Sequence, residues 1–119
     1  MTALTPRYKS ALLVLSIAGA ALVMLSTRRY GAGISPDSVA YVSVARSLVE
    51  GKGFVDYNGA PLTMWPPLYP VLLAAVSLIT RLDPLACASF VNAVLFAVII
   101  WLSGLLFSVH VTRSPALAF

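Results

Sequence analysis

LACASFVNAVLFAVIIWLSGLLFSVHV, from Leu85 to Val111, contains neither a proline nor a formally charged residue. A helix crosses the hydrocarbon core of a bilayer with about 20 apolar residues, so this stretch is long enough to span with room for tilt. Upstream, SALLVLSIAGAALVMLST from Ser10 to Thr27 is also uncharged and lies between Lys9 and Arg28. As a helix it would reach roughly 27 Å, close to the minimum for a crossing. A secretory signal also begins with a basic start and a short apolar run. Here the small residues Ala18-Gly19-Ala20-Ala21 fall in mid-run and not after its end, where a cleavage site would sit. The reading is therefore a retained first span.

The composition agrees. Hydrophobic residues make up 60% of the 119 and charged residues 10%, against roughly 45–50% and 25% in soluble domains. So little polar surface cannot cover a water-exposed globule, and a lipid bilayer is the expected partner. The net charge of +4 does not point to nucleic acid. The basic residues are scattered, with no run longer than Arg28-Arg29, and no basic stripe forms. Cys87 is the single cysteine, which excludes an intramolecular disulfide framework.

Between the two runs lies all of the acidic chemistry: Asp37, Glu50, Asp56 and Asp83. Ser35-Pro36-Asp37 reads as a helix start, with a serine cap, proline at the first helical position and an acid in the positive first turn. Gly51 and Gly53 read as its stop. Between them Val39, Val42, Ala45 and Val49 recur on one side, with Tyr41, Val44 and Leu48 beside them. Ser43, Arg46, Ser47 and Glu50 mark a polar side, a pattern that predicts an amphipathic helix suited to a membrane surface. Asn58-Gly59 predicts a turn closing a small hairpin, which Pro61 limits to an edge or an irregular return. Trp65-Pro66-Pro67 is stiff and extended. LYPVLLAAVSLIT, Leu68 to Thr80, reaches only roughly 20 Å as a helix and cannot cross unaided. The break Arg81-Leu82-Asp83-Pro84 separates it from the second span.

The expected fold class is an all-α membrane protein: two transmembrane helices joined by an extramembrane loop with an amphipathic juxtamembrane helix and a short interfacial helix. Its segments are 1–9, a first span over 10–27, a loop over 28–84 with helices near 36–50 and 67–80, a second span over 85–110, and an end over 111–119. Basic residues flank the spans evenly, Arg7, Lys9 and Arg113 against Arg28, Arg29 and Arg81, so charge leaves the orientation open.

The run SPDSVAYVSVARSLVEGKGFVDYNGAPLTMWPPLYPVLLA resembles the first extramembrane loop of bacterial GT-C glycosyltransferases, the protein mannosyltransferase-like or family 39 group. The matching pieces are Asp37, Ala45-Arg46-Ser47-Leu48, Gly51-Lys52-Gly53-Phe54 and the elbow from Pro66 to Pro70, followed by a second span. The resemblance implies transfer of a sugar from a polyprenyl-phosphate donor to an acceptor at the outer face of the cytoplasmic membrane. It implies a multi-pass protein with the loop outside and both termini in the cytoplasm. Asp37 would be the catalytic first-loop acid, and Arg46, Asp56, Trp65 and Tyr69 the substrate-binding residues. No metal ligands are assigned and no cofactor is obligatory. Asp37 would act as general base on the acceptor or as ligand of a divalent cation in the full-length protein, and Ser38 after it, where many relatives carry an acidic pair, favours the base. The family's proteins have many further spans, so the chain reads as an N-terminal fragment, inactive alone.

Each candidate also has a plainer role. Asp37 suits the helix dipole, Arg46 a solvated or headgroup contact, Asp56 a turn, and Trp65 and Tyr69 the aromatic belt. The competing function is a small two-span membrane protein that binds or stabilises a partner.

Overall fold

The structure, a computed structural model, describes residues 5–113, with side chains as far as Val109; residues 1–4 and 114–119, and the His110 side chain, lie outside what is described. The described chain is all-helical: α1 (Pro6–Thr27), α2 (Pro36–Val49), α3 (Leu68–Thr80) and α4 (Pro84–Arg113), with no strand. α1 and α4 are long and apolar enough to cross a membrane, and α3 is too short. The chain divides into two compact units. One holds Met1–Ser26 and Asn92–Phe119, the other Thr27–Val91.

In the first unit α1 and the later turns of α4 pack antiparallel through two glycines. A Cβ on Gly19 would collide with Ile100 and come 3.2 Å from the Phe96 ring. A Cβ on Gly104 would collide with the Leu12 side chain. Small residues at such points let two backbones approach closely, which is how helices associate where no water drives them together. The Tyr8 hydroxyl donates to the Gly104 carbonyl at 2.7 Å. The buried serines return their protons to their own helix, Ser16 to the Leu12 carbonyl at 2.9 Å and Ser108 to that of Leu105 at 2.6 Å, so these two hydroxyls are satisfied within an apolar setting. The outer sides are apolar and open: Leu22 and Leu25 are each 65% exposed and Phe107 67%. This exterior is mostly apolar, broken by exposed Asn92 and Ser103 on α4, and is compatible with contact to lipid.

The second unit has its own core, where α2 lies on α3. Val44, Ala45 and Leu73 are fully buried, with Val42, Ala74 and Cys87 close behind. The buried side of α2 is narrower than its apolar pattern. Val39 and Val49 are exposed because α3 covers the side of Val44 and Ala45. α2 begins as expected: the Ser35 hydroxyl accepts the Ser38 N–H at 3.3 Å, with Pro36 next and Asp37 in the first turn. It ends in a Schellman motif at Gly51, φ +75°. Lys52 N–H donates to the Ser47 carbonyl at 2.8 Å and Gly51 N–H to that of Leu48 at 3.1 Å, which satisfies the last carbonyls.

The expected hairpin is a single antiparallel bridge, Val55 to Pro61. The bridge is flanked by two bonds, Asp56 N–H to the Ala60 carbonyl and Leu62 N–H to that of Phe54, each 2.9 Å, so Pro61 sits where no ladder N–H is needed. α3 then starts from Pro67 and stops at Arg81, which adopts φ +60° and ψ +23° and donates its N–H to the Ser77 carbonyl at 2.8 Å. Glycine normally takes this position; a residue with a Cβ pays about 1–2 kcal/mol there. Asp83 opens α4, its Oδ1 accepting the Leu85 N–H at 2.9 Å with Pro84 as first helical residue.

Candidate functional site

The four acids of the loop differ sharply in what their carboxylates already do. Asp83 takes Arg46 at two points, Nε to Oδ2 at 2.8 Å and Nη2 to Oδ1 at 2.9 Å, besides capping α4. The bonds from Arg46 hold the Asp83 carboxyl below the ordinary carboxylate range, and the same bonds push the Arg46 guanidinium above its ordinary value. Asp56 Oδ1 accepts the N–H groups of Asn58 at 2.8 Å and Ala60 at 3.0 Å, the standard use of an aspartate at a turn. Glu50 pairs with Lys52 beside it. Asp37 alone has no hydrogen bond or ion pair from its carboxylate among the described residues, and it stands exposed in the first turn of α2.

The aromatic candidates converge through a residue that sequence reasoning did not single out for the site. Tyr41 of α2 meets Trp65 edge-on at 6.0 Å between ring centres and Tyr69 of α3 at 5.4 Å. Edge-to-face geometry places positive ring edges on negative ring faces. Tyr41 thus joins the elbow and the start of α3 to α2. Trp65 also shares a cleft of about 180 Å³ with Asp56, Thr63 and Met64. Arg46 lines a different and larger cleft, about 590 Å³, with Arg81, Leu82, Asp83 and Pro84. Asp37 is on neither wall.

The five sequence candidates therefore do not meet in one cavity. Asp56 and Trp65 come together, Tyr41 ties Trp65 to Tyr69, and Arg46 is engaged by Asp83. The pairing of Asp83 was missed, although Asp83-Pro84 carries the same cap-then-proline signature as Ser35-Pro36. The Tyr41 cluster had no such local signal. Among the described residues, no three His, Cys, Asp or Glu side chains group as metal ligands would. Comparison with protein-family models, with curated proteins and with solved structures finds no match to this chain.

Proposed function

We propose that the chain is the first-loop section of a GT-C-type glycosyltransferase, a multi-pass protein of the cytoplasmic membrane with its loop on the outer face. The observation that supports this reading is the state of Asp37, the loop acid whose carboxylate is committed to no other group. An acceptor hydroxyl attacking an anomeric carbon must lose its proton. The new bond joins acceptor oxygen to that carbon, the bond from carbon to phosphate oxygen breaks, and the polyprenyl phosphate leaves. A carboxylate within hydrogen-bond reach takes the proton, and such general-base help is worth about 10²–10⁴ in rate. Asp83 suits this role less well, since its charge-assisted bonds from Arg46 make it a weaker base, and an Asp56 oxygen is already occupied by two backbone N–H groups. Donor-binding groups would come from elsewhere in the enzyme.

The test is transfer of radiolabelled sugar from polyprenyl phosphate to endogenous acceptor, in membranes carrying the chain in its natural reading frame. Asp37→Asn is expected to lower transfer at least about 100-fold with membrane insertion unchanged. Transfer within a few-fold of wild type would reject the role.

One observation favours a second reading, a small two-span membrane protein that binds or stabilises a partner. α1 and α4 pack on each other through Gly19 and Gly104 in a compact unit of their own. The coding sequence after Phe119 separates the two. An open frame with more apolar spans supports the enzyme, and a stop with the short product present in membranes supports the alternative.

A further inference from the structure

A cleft of the second unit lies where α3 hands over to α4. Its volume is about 590 Å³, and its wall includes Pro84, the first residue of the candidate span. The cleft therefore adjoins the first turn of a helix long and apolar enough to cross a membrane. One side is charged and the other apolar: Leu78 and Leu82 line it and are 61% and 56% exposed. Its charges can be counted. Arg46 is matched by Asp83, and Glu50 by Lys52. Arg81 has no ion pair or side-chain hydrogen bond among the described residues, so it is the charged lining side chain left without a partner. Arg81 is also the only non-glycine residue there with a left-handed backbone, φ +60°.

We propose that this cleft binds the phosphate of an anionic phospholipid headgroup, with Arg81 as the cation that meets it and Leu78 and Leu82 facing the glycerol and upper acyl chains. A guanidinium suits the purpose because its planar fork offers parallel N–H donors matched to phosphate oxygens. The unpaired guanidinium favours a headgroup of net charge −1 over a zwitterionic one. Basic groups beside a span are where anionic lipid is recognised. This site does not depend on the glycosyltransferase reading, and its test involves no sugar transfer.

The experiment uses the full chain purified from vesicles of phosphatidylcholine doped with phosphatidylglycerol, with retained lipid counted by native mass spectrometry. Wild type is expected to retain phosphatidylglycerol above its share of the vesicle. Arg81→Gly should lower that enrichment roughly tenfold, the scale of one charge-assisted hydrogen bond. Glycine is at ease at φ +60°, so this variant should melt no lower than wild type, which removes misfolding as the cause. Arg81→Lys keeps the charge and should keep part of the enrichment. Equal retention of the two lipids by wild type, or unchanged enrichment in Arg81→Gly, overturns the site. Full displacement of the lipid by an equal concentration of inorganic phosphate overturns the headgroup as its source.

Discussion

Arg46 in α2 and Asp83 at the start of α4, 37 positions apart, form a two-point ion pair in which one carboxylate also caps a helix. The side chains are 49% and 47% exposed, so water screens the charges and the pair itself contributes on the order of 0.2–1 kcal/mol. The cap is worth about as much again. One side chain thus ties α2 to the beginning of a candidate span by two separable interactions.

Two substitutions separate them. Asp83→Asn keeps an oxygen able to accept the Leu85 N–H and loses the ion pair; Asp83→Ala loses both. Asparagine caps about as well as aspartate, so the alanine variant should be less stable than the asparagine variant by roughly 0.5–2 kcal/mol. Unfolding of the chain in detergent, followed by circular dichroism, measures the difference. Equal stability of the two variants would remove the capping role.

The pair also sets a direction for pH. Arg46 holds the folded Asp83 carboxyl below its ordinary range, so the unfolded chain binds a proton there first. The stabilisation is complete above the unfolded value, about 3.9, and is lost as pH falls through the lower folded value. The Arg46 partner, raised on folding, holds its share at every pH below the ordinary arginine range. With both groups half exposed the effect stays within about 1 kcal/mol. Acidifying from about pH 6 to about pH 2 should lower the melting temperature of wild type more than that of Asp83→Asn.

The two glycine notches should not respond alike. At Gly19 an added Cβ meets the tip of Ile100 and the edge of Phe96; at Gly104 it meets three atoms of Leu12, a side chain only 6% exposed. Ile100 can swing its terminal methyl aside, whereas Leu12 has little room. Gly104→Ala should cost about 1–3 kcal/mol by overpacking, and Gly19→Ala clearly less. Steric trapping or detergent-induced unfolding of the two variants compares them.

Tyr41 makes two aromatic contacts, each worth about 0.5–1.5 kcal/mol beyond buried area. Tyr41→Leu retains much of the bulk and removes both, so a loss of about 1–3 kcal/mol is expected. In a Trp101→Phe background the emission of Trp65 should shift to the red as its ring becomes wetter. An unchanged spectrum would contradict the packing of Trp65 on Tyr41.

Asp56 separates turn chemistry from substrate contact. Its Oδ1 accepts two backbone N–H groups, and asparagine offers an equivalent oxygen. Asp56→Asn should therefore stay within about 0.5 kcal/mol of wild type, and Asp56→Ala should lose about 1–2 kcal/mol. Thermal unfolding of the pair of variants measures this.

The four helices and the start and stop of α2 were legible in the sequence because their causes are local, whereas α1 begins at Pro6 and not at 10, and the left-handed stop at Arg81 had no sequence signal. Span length, the serine cap and proline before Asp37, the glycine stop at Gly51 and the Asn58-Gly59 turn each act within a few residues. A helix or a turn closes its hydrogen bonds over three to five positions, so a short window of sequence holds the information. What required the tertiary structure is long-range. Gly19 and Gly104 became packing notches only against Phe96, Ile100 and Leu12, and Tyr41 became a hub only when Trp65 and Tyr69 reached it. Arg46 and Asp83 look like two solvated charges until α2 and the head of α4 bring them together. Local pattern says which groups a chain offers; which pairs become partners depends on side chains packed from positions tens of residues apart.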